Sequence, residues 1–62
     1  MFAVIMTTDP VRVLSHHHSA EEAVQAALKA RAAATPEEAP LIVPVAMDDG
    51  AYVEIPFPSQ LS

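Results

Sequence analysis

Residues 41–57 read LIVPVAMDDGAYVEIPF, in which two apolar segments flank a turn signal. The pattern predicts a β-hairpin. A two-residue turn at Asp49-Gly50 would place Pro44 at a position that requires a backbone N–H, which proline lacks. A three-residue loop that begins at Asp48 avoids this conflict, and the sequence therefore favours the longer loop.

The longer loop also separates apolar from mixed positions across the two strands, because side chains alternate between the faces of a strand. It pairs Met47 with Ala51 and gives one face made entirely of apolar residues: Leu41, Val43, Val45, Met47, Ala51, Val53, Ile55 and Phe57. The opposite face would carry the remaining side chains: Ile42, Pro44, Ala46, Tyr52, Glu54 and Pro56. The prolines also predict that at least one strand of this hairpin is an edge strand.

An earlier segment, residues 2–14, predicts a second hairpin. The apolar run 2–6 is followed by a turn ending in Asp9-Pro10 and by a short β-branched segment at 11–14. If Met6 lies opposite Val11, one face is apolar and consists of Phe2, Val4, Met6, Val11 and Val13. The other face then carries Ala3, Ile5, Arg12 and Leu14.

Between the hairpins, residues 19–34 predict a helix. Ser19 and Glu22 match a capping box, in which the serine hydroxyl accepts from the third helical N–H. Alanine dominates one face, and Thr35-Pro36 ends the helix because proline cannot continue it. A face made of alanine lets the helix approach a sheet closely.

The order of elements predicts an α/β (α+β) fold: a two-layer ββαββ sandwich with a four-stranded, largely antiparallel sheet and one helix on one face. Residues 1–62 are expected to form a single domain with hairpins at 2–14 and 41–57, the helix at 19–34 and a short C-terminal tail at 58–62. One helix covers only one sheet face, so the other face is a candidate interface. Its predicted residues are Ile5, Leu14, Ile42 and Tyr52.

Composition excludes several classes of function. The chain has 62 residues, 52% of them apolar, a formal net charge of −5 and no cysteine. It therefore has no disulfide framework or thiolate metal site, and its acidity argues against direct nucleic-acid binding. No apolar run is long enough to span a membrane. A cytoplasmic protein is expected, because the lack of cysteine is compatible with that compartment and no targeting signal contradicts it.

Three consecutive histidines, residues 16–18, are the most prominent local motif. In an extended segment His16 and His18 point to one side, a spacing that can present two imidazoles to a zinc or nickel ion. The alternative is that all three are ordinary loop or interface residues. No catalytic residues are predicted, because a serine nucleophile needs an oriented base and an oxyanion hole, and the only glycine belongs to the turn.

The stretch from Asp48 to Pro58 resembles the hairpin of HicB-type antitoxins, in which a D-G-x-Y-x-V-x-F-P pattern recurs. The helix start at 19–23 is similar to their T-x-E-E-A, although here the hairpin follows the helix instead of preceding it. This resemblance implies an antitoxin or regulatory domain.

The sequence therefore predicts a small acidic protein that is not an enzyme and that binds another protein through the second sheet face. The expected forms are a homodimer, an accessory subunit or a stoichiometric inhibitor of the kind that phages encode. The metal-binding module and the HicB-like domain remain alternatives.

Overall fold

The computed structural model describes residues 1–56, so Phe57 and the predicted tail at 58–62 lie outside the described residues. Within the described part, the strands are β1 (Phe2–Met6), β2 (Arg12–His17), β3 (Ile42–Asp48) and β4 (Ala51–Glu54). One α-helix, α1 (Ala20–Ala33), joins the two hairpins, and a short 3₁₀ turn at Ala39–Leu41 leads into β3. The predicted fold class is confirmed: one antiparallel sheet and one helix in ββαββ order.

The sheet has the order β2-β1-β3-β4, which places the two most apolar strands in the centre. All three middle residues of β1 and the first four residues of β3 are buried, whereas every residue of β4 is exposed. The outer strands are therefore β2 and β4. At least one strand of the second hairpin is an edge strand, as predicted, but Pro44 itself lies in the central strand β3.

Local signals in the sequence determine where α1 begins and ends. Ser19 is the N-cap, and its Oγ accepts a hydrogen bond from the backbone N–H of Glu22 at 3.1 Å. Beyond the last turn, Ala34 is extended, and Pro36 follows two residues later, where it cannot continue a helix. The helix packs on the sheet through Ala23 and Ala27, which are fully buried.

The second hairpin has the two-residue turn and not the predicted three-residue loop. Asp48 pairs with Ala51, and the turn residues Asp49 and Gly50 have φ values of 55° and 83°. Positive φ at both central positions is the geometry of a type I′ turn, which matches the twist of the flanking strands. The predicted pairing of Met47 with Ala51 is therefore wrong by one residue.

Pro44 tolerates this register because it lies where the strand pairing ends. The N–H of Ile55 donates to the carbonyl of Pro44 at 2.9 Å, so Pro44 directs its backbone towards β4 and can accept but not donate. The ladder between β3 and β4 begins at the next pair, Val45 with Glu54. The expectation that Pro44 faces away from its partner strand is wrong, and the missing N–H instead helps to limit β4 to four residues.

The first hairpin also differs from its predicted register. Met6 pairs with Arg12 instead of Val11, and β2 extends to His17, so two of the three histidines belong to a strand. The register shifts in the middle of the hairpin, because Val4 pairs with Ser15 while Ile5 pairs with Val13. Leu14 is consequently an extra residue, a β-bulge that no alternation rule could locate in advance.

The pairing of β1 with β3 decides which side chains lie under the helix. Val4 lies opposite Pro44 and Met6 lies opposite Ile42, and directly opposed residues point to the same face. Val4 and Ile42 form one core with Ala23 and Ala27 of α1. The face assignment of β3 is therefore corrected: Ile42 lies under the helix, and the opposite face carries Ala3, Ile5, Val43, Val45 and Met47.

Candidate functional site

The four predicted interface residues do not lie on one surface. Ile42 is 2% exposed and lies in the helix-side core, and Ile5 is 3% exposed in the core of the opposite face. Leu14 and Tyr52 are exposed, at 43% and 44%, but they belong to β2 and β4, the two outer strands. Three strand spacings of about 4.8 Å separate these strands, so Leu14 and Tyr52 are on the order of 14 Å apart across the sheet.

The sheet face opposite α1 offers a partner little apolar surface at its centre. Ala3, Ile5, Val43 and Val45 are all buried there, with exposures of 0 to 7%. Exposed apolar surface is found instead at the margins of the sheet. It comes from Val13 and Leu14 on β2, from Val11 just before that strand, and from Tyr52 and Val53 on β4.

Val11, Val13 and Val53 are members of this exposed set that the sequence did not single out. Alternation predicted that both Val13 and Val53 would lie on a covered apolar face. They are exposed because they belong to outer strands, each of which has a neighbour on one side only. Strand order is the information that was missing, and no local pattern in the sequence encodes it.

The two outer strands differ in length and charge. β2 has six residues, and the segment from Val11 to His18 contains one arginine, three histidines and no carboxylate. β4 has only four residues, ends in Glu54 and follows the acidic turn that includes Asp48 and Asp49. Short length and charge are common ways to protect an edge from pairing with another strand. β4 has both, whereas the protection on β2 is limited to the bulge at Leu14 and the charge of Arg12.

The histidines do not form a closed metal site in the described part of the chain. His16 lies opposite Ala3 on the face away from α1, and His18 lies beyond the end of β2. No group of three or more histidine, cysteine, aspartate or glutamate side chains in residues 1–56 is placed to hold a metal ion. Zinc or nickel binding by His16 and His18 remains a prediction.

His17, which the sequence analysis did not single out, contacts Ser15 and Glu22. Its Nε2 lies 2.7 Å from the Oγ of Ser15, and its Nδ1 lies 4.0 Å from a carboxylate oxygen of Glu22. Ser15 and His17 are two apart on one strand, so they share a face, and that face is the one α1 covers. The two-residue spacing of Ser15 and His17 is visible in the sequence, but it predicts a contact only if residues 15–17 form a strand.

Chemically, this contact links β2 to the first turn of α1. The separation of 4.0 Å from Glu22 is an ion-pair distance and too long for a hydrogen bond, and the Glu22 side chain is 62% exposed. The described residues also enclose no pocket in which a substrate would sit beside Ser15. The contact therefore has the geometry of a structural link that places a carboxylate beside the outer strand.

Comparisons with known proteins give no family for this chain: no family model, curated protein or solved structure matches it. The likeness to HicB-type antitoxins therefore stays a prediction. Among the described residues, α1 has 14 residues, and no helix has the length and apolar character required to cross a membrane.

Proposed function

We propose that this protein is a small, non-enzymatic protein–protein interaction module that binds through apolar side chains on the outer strands of its sheet. The location of the exposed large apolar residues supports this proposal. Of the seven in residues 1–56, five lie on or directly beside β2 and β4: Val11, Val13, Leu14, Tyr52 and Val53. Single exposed apolar residues are ordinary, but clusters of them are typical of binding surfaces.

The small core gives a second argument. The nine buried apolar residues described are three alanines, four valines and two isoleucines, with no leucine, methionine or phenylalanine among them. A chain of this size buries only about 60% of the surface that its unfolded form exposes. Without disulfides, a protein interface is a ready source of further apolar burial.

The composition limits the class of partner. With eight acidic and three basic residues, the surface would repel a phosphate backbone, so we propose a protein partner and no direct contact with nucleic acid. The partner is either a second copy, a larger subunit or a target that the module inhibits. We expect the protein to act in the cytoplasm, since the chain has no cysteine to form the disulfides common in secreted domains of this size.

Two leucines of similar exposure provide a matched test. Leu14 on β2 is 43% exposed and Leu28 on α1 is 46% exposed. We expect Leu14→Lys to weaken binding, either self-association measured by light scattering or retention of a partner in a pull-down, while Leu28→Lys leaves it unchanged. Equal losses from both variants would contradict the proposal. So would a wild-type chain that is monomeric at high micromolar concentration, thermally stable and without any retained partner.

A further inference from the structure

We infer that the partner is a second copy of this chain, and that two copies pair β2 against β2 around a two-fold axis perpendicular to the sheet. This inference rests on the proposed function and names the partner that the exposed strand accepts. β2 is an outer strand in which no residue is buried. Such a strand presents unpaired backbone groups to any strand that can approach it.

Backbone directions in β1 identify the groups on β2 that are free to pair. The N–H of Met47 donates to the carbonyl of Met1 at 2.8 Å, so alternation directs the backbone groups of Ala3 and Ile5 towards β3. Their partners on β2 are His16 and Val13. The N–H and C=O groups of these two residues therefore point away from β1, towards the open side of the strand.

The bulge sets the register in which two copies of β2 can pair around the two-fold axis. In a regular strand, residues whose backbone groups point to the same side are separated by an even number of positions. Because Leu14 is an extra residue, the outward-facing Val13 and His16 are separated by three. An antiparallel pair of β2 strands then places Val13 of each copy opposite His16 of the other. In each of these two pairs, the facing residues can exchange both backbone hydrogen bonds. The dimer then has one continuous eight-stranded antiparallel sheet with both helices on the same side.

Charge complementarity supports the same register. It places Arg12 opposite His17 of the second copy, and both residues lie on the helix-side face. The His17 ring already lies 4.0 Å from the carboxylate of Glu22, so Arg12 of each copy approaches Glu22 of the other. The two Arg12 residues are at opposite ends of the paired strands, about 17 Å apart, which is beyond the screening length of about 8 Å at physiological salt.

The other edge of the sheet is less suited to a second copy. Pairing β4 with itself would bring Glu54 and the acidic turn of both copies together, whereas the segment from Val11 to His18 carries no carboxylate. Pairing β2 with β4 would leave one free edge at each end and continue into an open filament. The two-fold β2 contact is the arrangement that closes with two copies.

A charge exchange tests the register. Sedimentation equilibrium should show a reversible dimer, in the weak range because the paired strands are short. We expect Arg12→Glu to raise the dissociation constant about tenfold or more, and Glu22→Arg added to it to restore most of the affinity. Lys29→Glu makes the same change in charge on the exposed side of α1 and should leave the dissociation constant within about threefold. An equal effect of Lys29→Glu, or no rescue in the double variant, would overturn the inference.

Backbone N-methylation tests the strand pairing itself, since a chain of 62 residues can be made by chemical synthesis. Methylation of the His16 nitrogen should abolish the dimer without disturbing the pairing of β1 with β2. The matched control is Tyr52, whose N–H points outward from β4 because Ile55 pairs with Pro44. Its methylation should leave the dimer intact. A dimer that survives methylation at His16, or is lost equally with either methyl group, refutes β2 pairing.

These outcomes separate the inference from the proposed function. A monomer at about 1 mM, a concentration at which even weak contacts form, refutes the second copy as partner. If a different protein is then retained and Leu14→Lys releases it, the proposed function is supported, and only the identity of the partner was wrong. If nothing is retained, both fail.

Discussion

Ile42→Ala is the substitution that tests most directly how the two faces of the sheet are assigned. Ile42 is 2% exposed and packs with Val4, Ala23 and Ala27 between β3 and α1. The substitution removes three carbon atoms, worth about 2.4 kcal/mol in transfer free energy at about 0.8 kcal/mol each, and it leaves a cavity. We therefore expect a loss of about 2–5 kcal/mol in the free energy of unfolding.

Such a loss is large for a domain of this size, whose net stability is about 3–5 kcal/mol. Urea unfolding followed by circular dichroism measures it, with a slope near the low end of the usual range, about 1 kcal/mol/M. The midpoint should fall by about 2 M or more, or the variant should be unfolded without urea. Ile42→Val, with an expected cost of about 0.5–1.5 kcal/mol, gives a measurable value if the alanine variant does not fold.

The matched control is Leu14→Ala, studied at low protein concentration so that self-association does not contribute. Leu14 is 43% exposed, and substitutions at exposed positions usually change stability by no more than about 0.5 kcal/mol. If Ile42→Ala shifts the midpoint no more than Leu14→Ala does, then Ile42 does not lie in the helix-side core. The pairing of β3 with β1 described above would then be wrong.

Three further predictions concern the helix cap, the turn and the histidines. Ser19→Ala removes the hydroxyl that accepts from the N–H of Glu22 and should cost about 0.5–2 kcal/mol in urea unfolding, whereas Ser19→Asp should be close to neutral. Gly50→Ala should cost about 1–2 kcal/mol, because φ is 83° and nothing lies within 4 Å of the added methyl group, so backbone strain is the whole effect. A stability loss below about 0.3 kcal/mol would argue against the type I′ turn. If His16 and His18 bind zinc or nickel with a micromolar dissociation constant, about 100 µM metal should add about 2.7 kcal/mol of stability and raise the thermal midpoint clearly, and an unchanged midpoint would dismiss the site.

The candidate surface was only partly accessible to sequence reasoning. Leu14 and Tyr52 were singled out and are exposed, but for a different reason than expected, since they lie on outer strands and not at the centre of a bare face. Ile42 was assigned to the wrong face because its position depends on pairing with β1, a contact between strands more than thirty residues apart. Nothing in residues 41–47 specifies that contact.

At Asp49-Gly50 two local rules conflict, the turn preference of Asp-Gly and the restriction on proline within a strand. The preference of Asp-Gly for a type I′ turn and the missing N–H of Pro44 pointed to different registers. The turn preference prevails because it acts on the whole hairpin, while the cost at Pro44 is avoided by ending the ladder one residue earlier. The sequence does not show where the ladder between β3 and β4 ends, so it cannot show that the missing N–H of Pro44 falls at that end.

The elements that could be predicted are those that depend on interactions between neighbouring residues. The capping serine, the alanine face and Pro36 define the helix, and the alternation of apolar runs with turn signals defines four strands in ββαββ order. Contacts between distant segments set the strand order, the bulge at Leu14, the side of the sheet on which Ile42 lies and the residues exposed at its edges. Propensity and capping act over a few residues and can be recognised locally, whereas strand register and burial depend on segments that meet only in the folded chain.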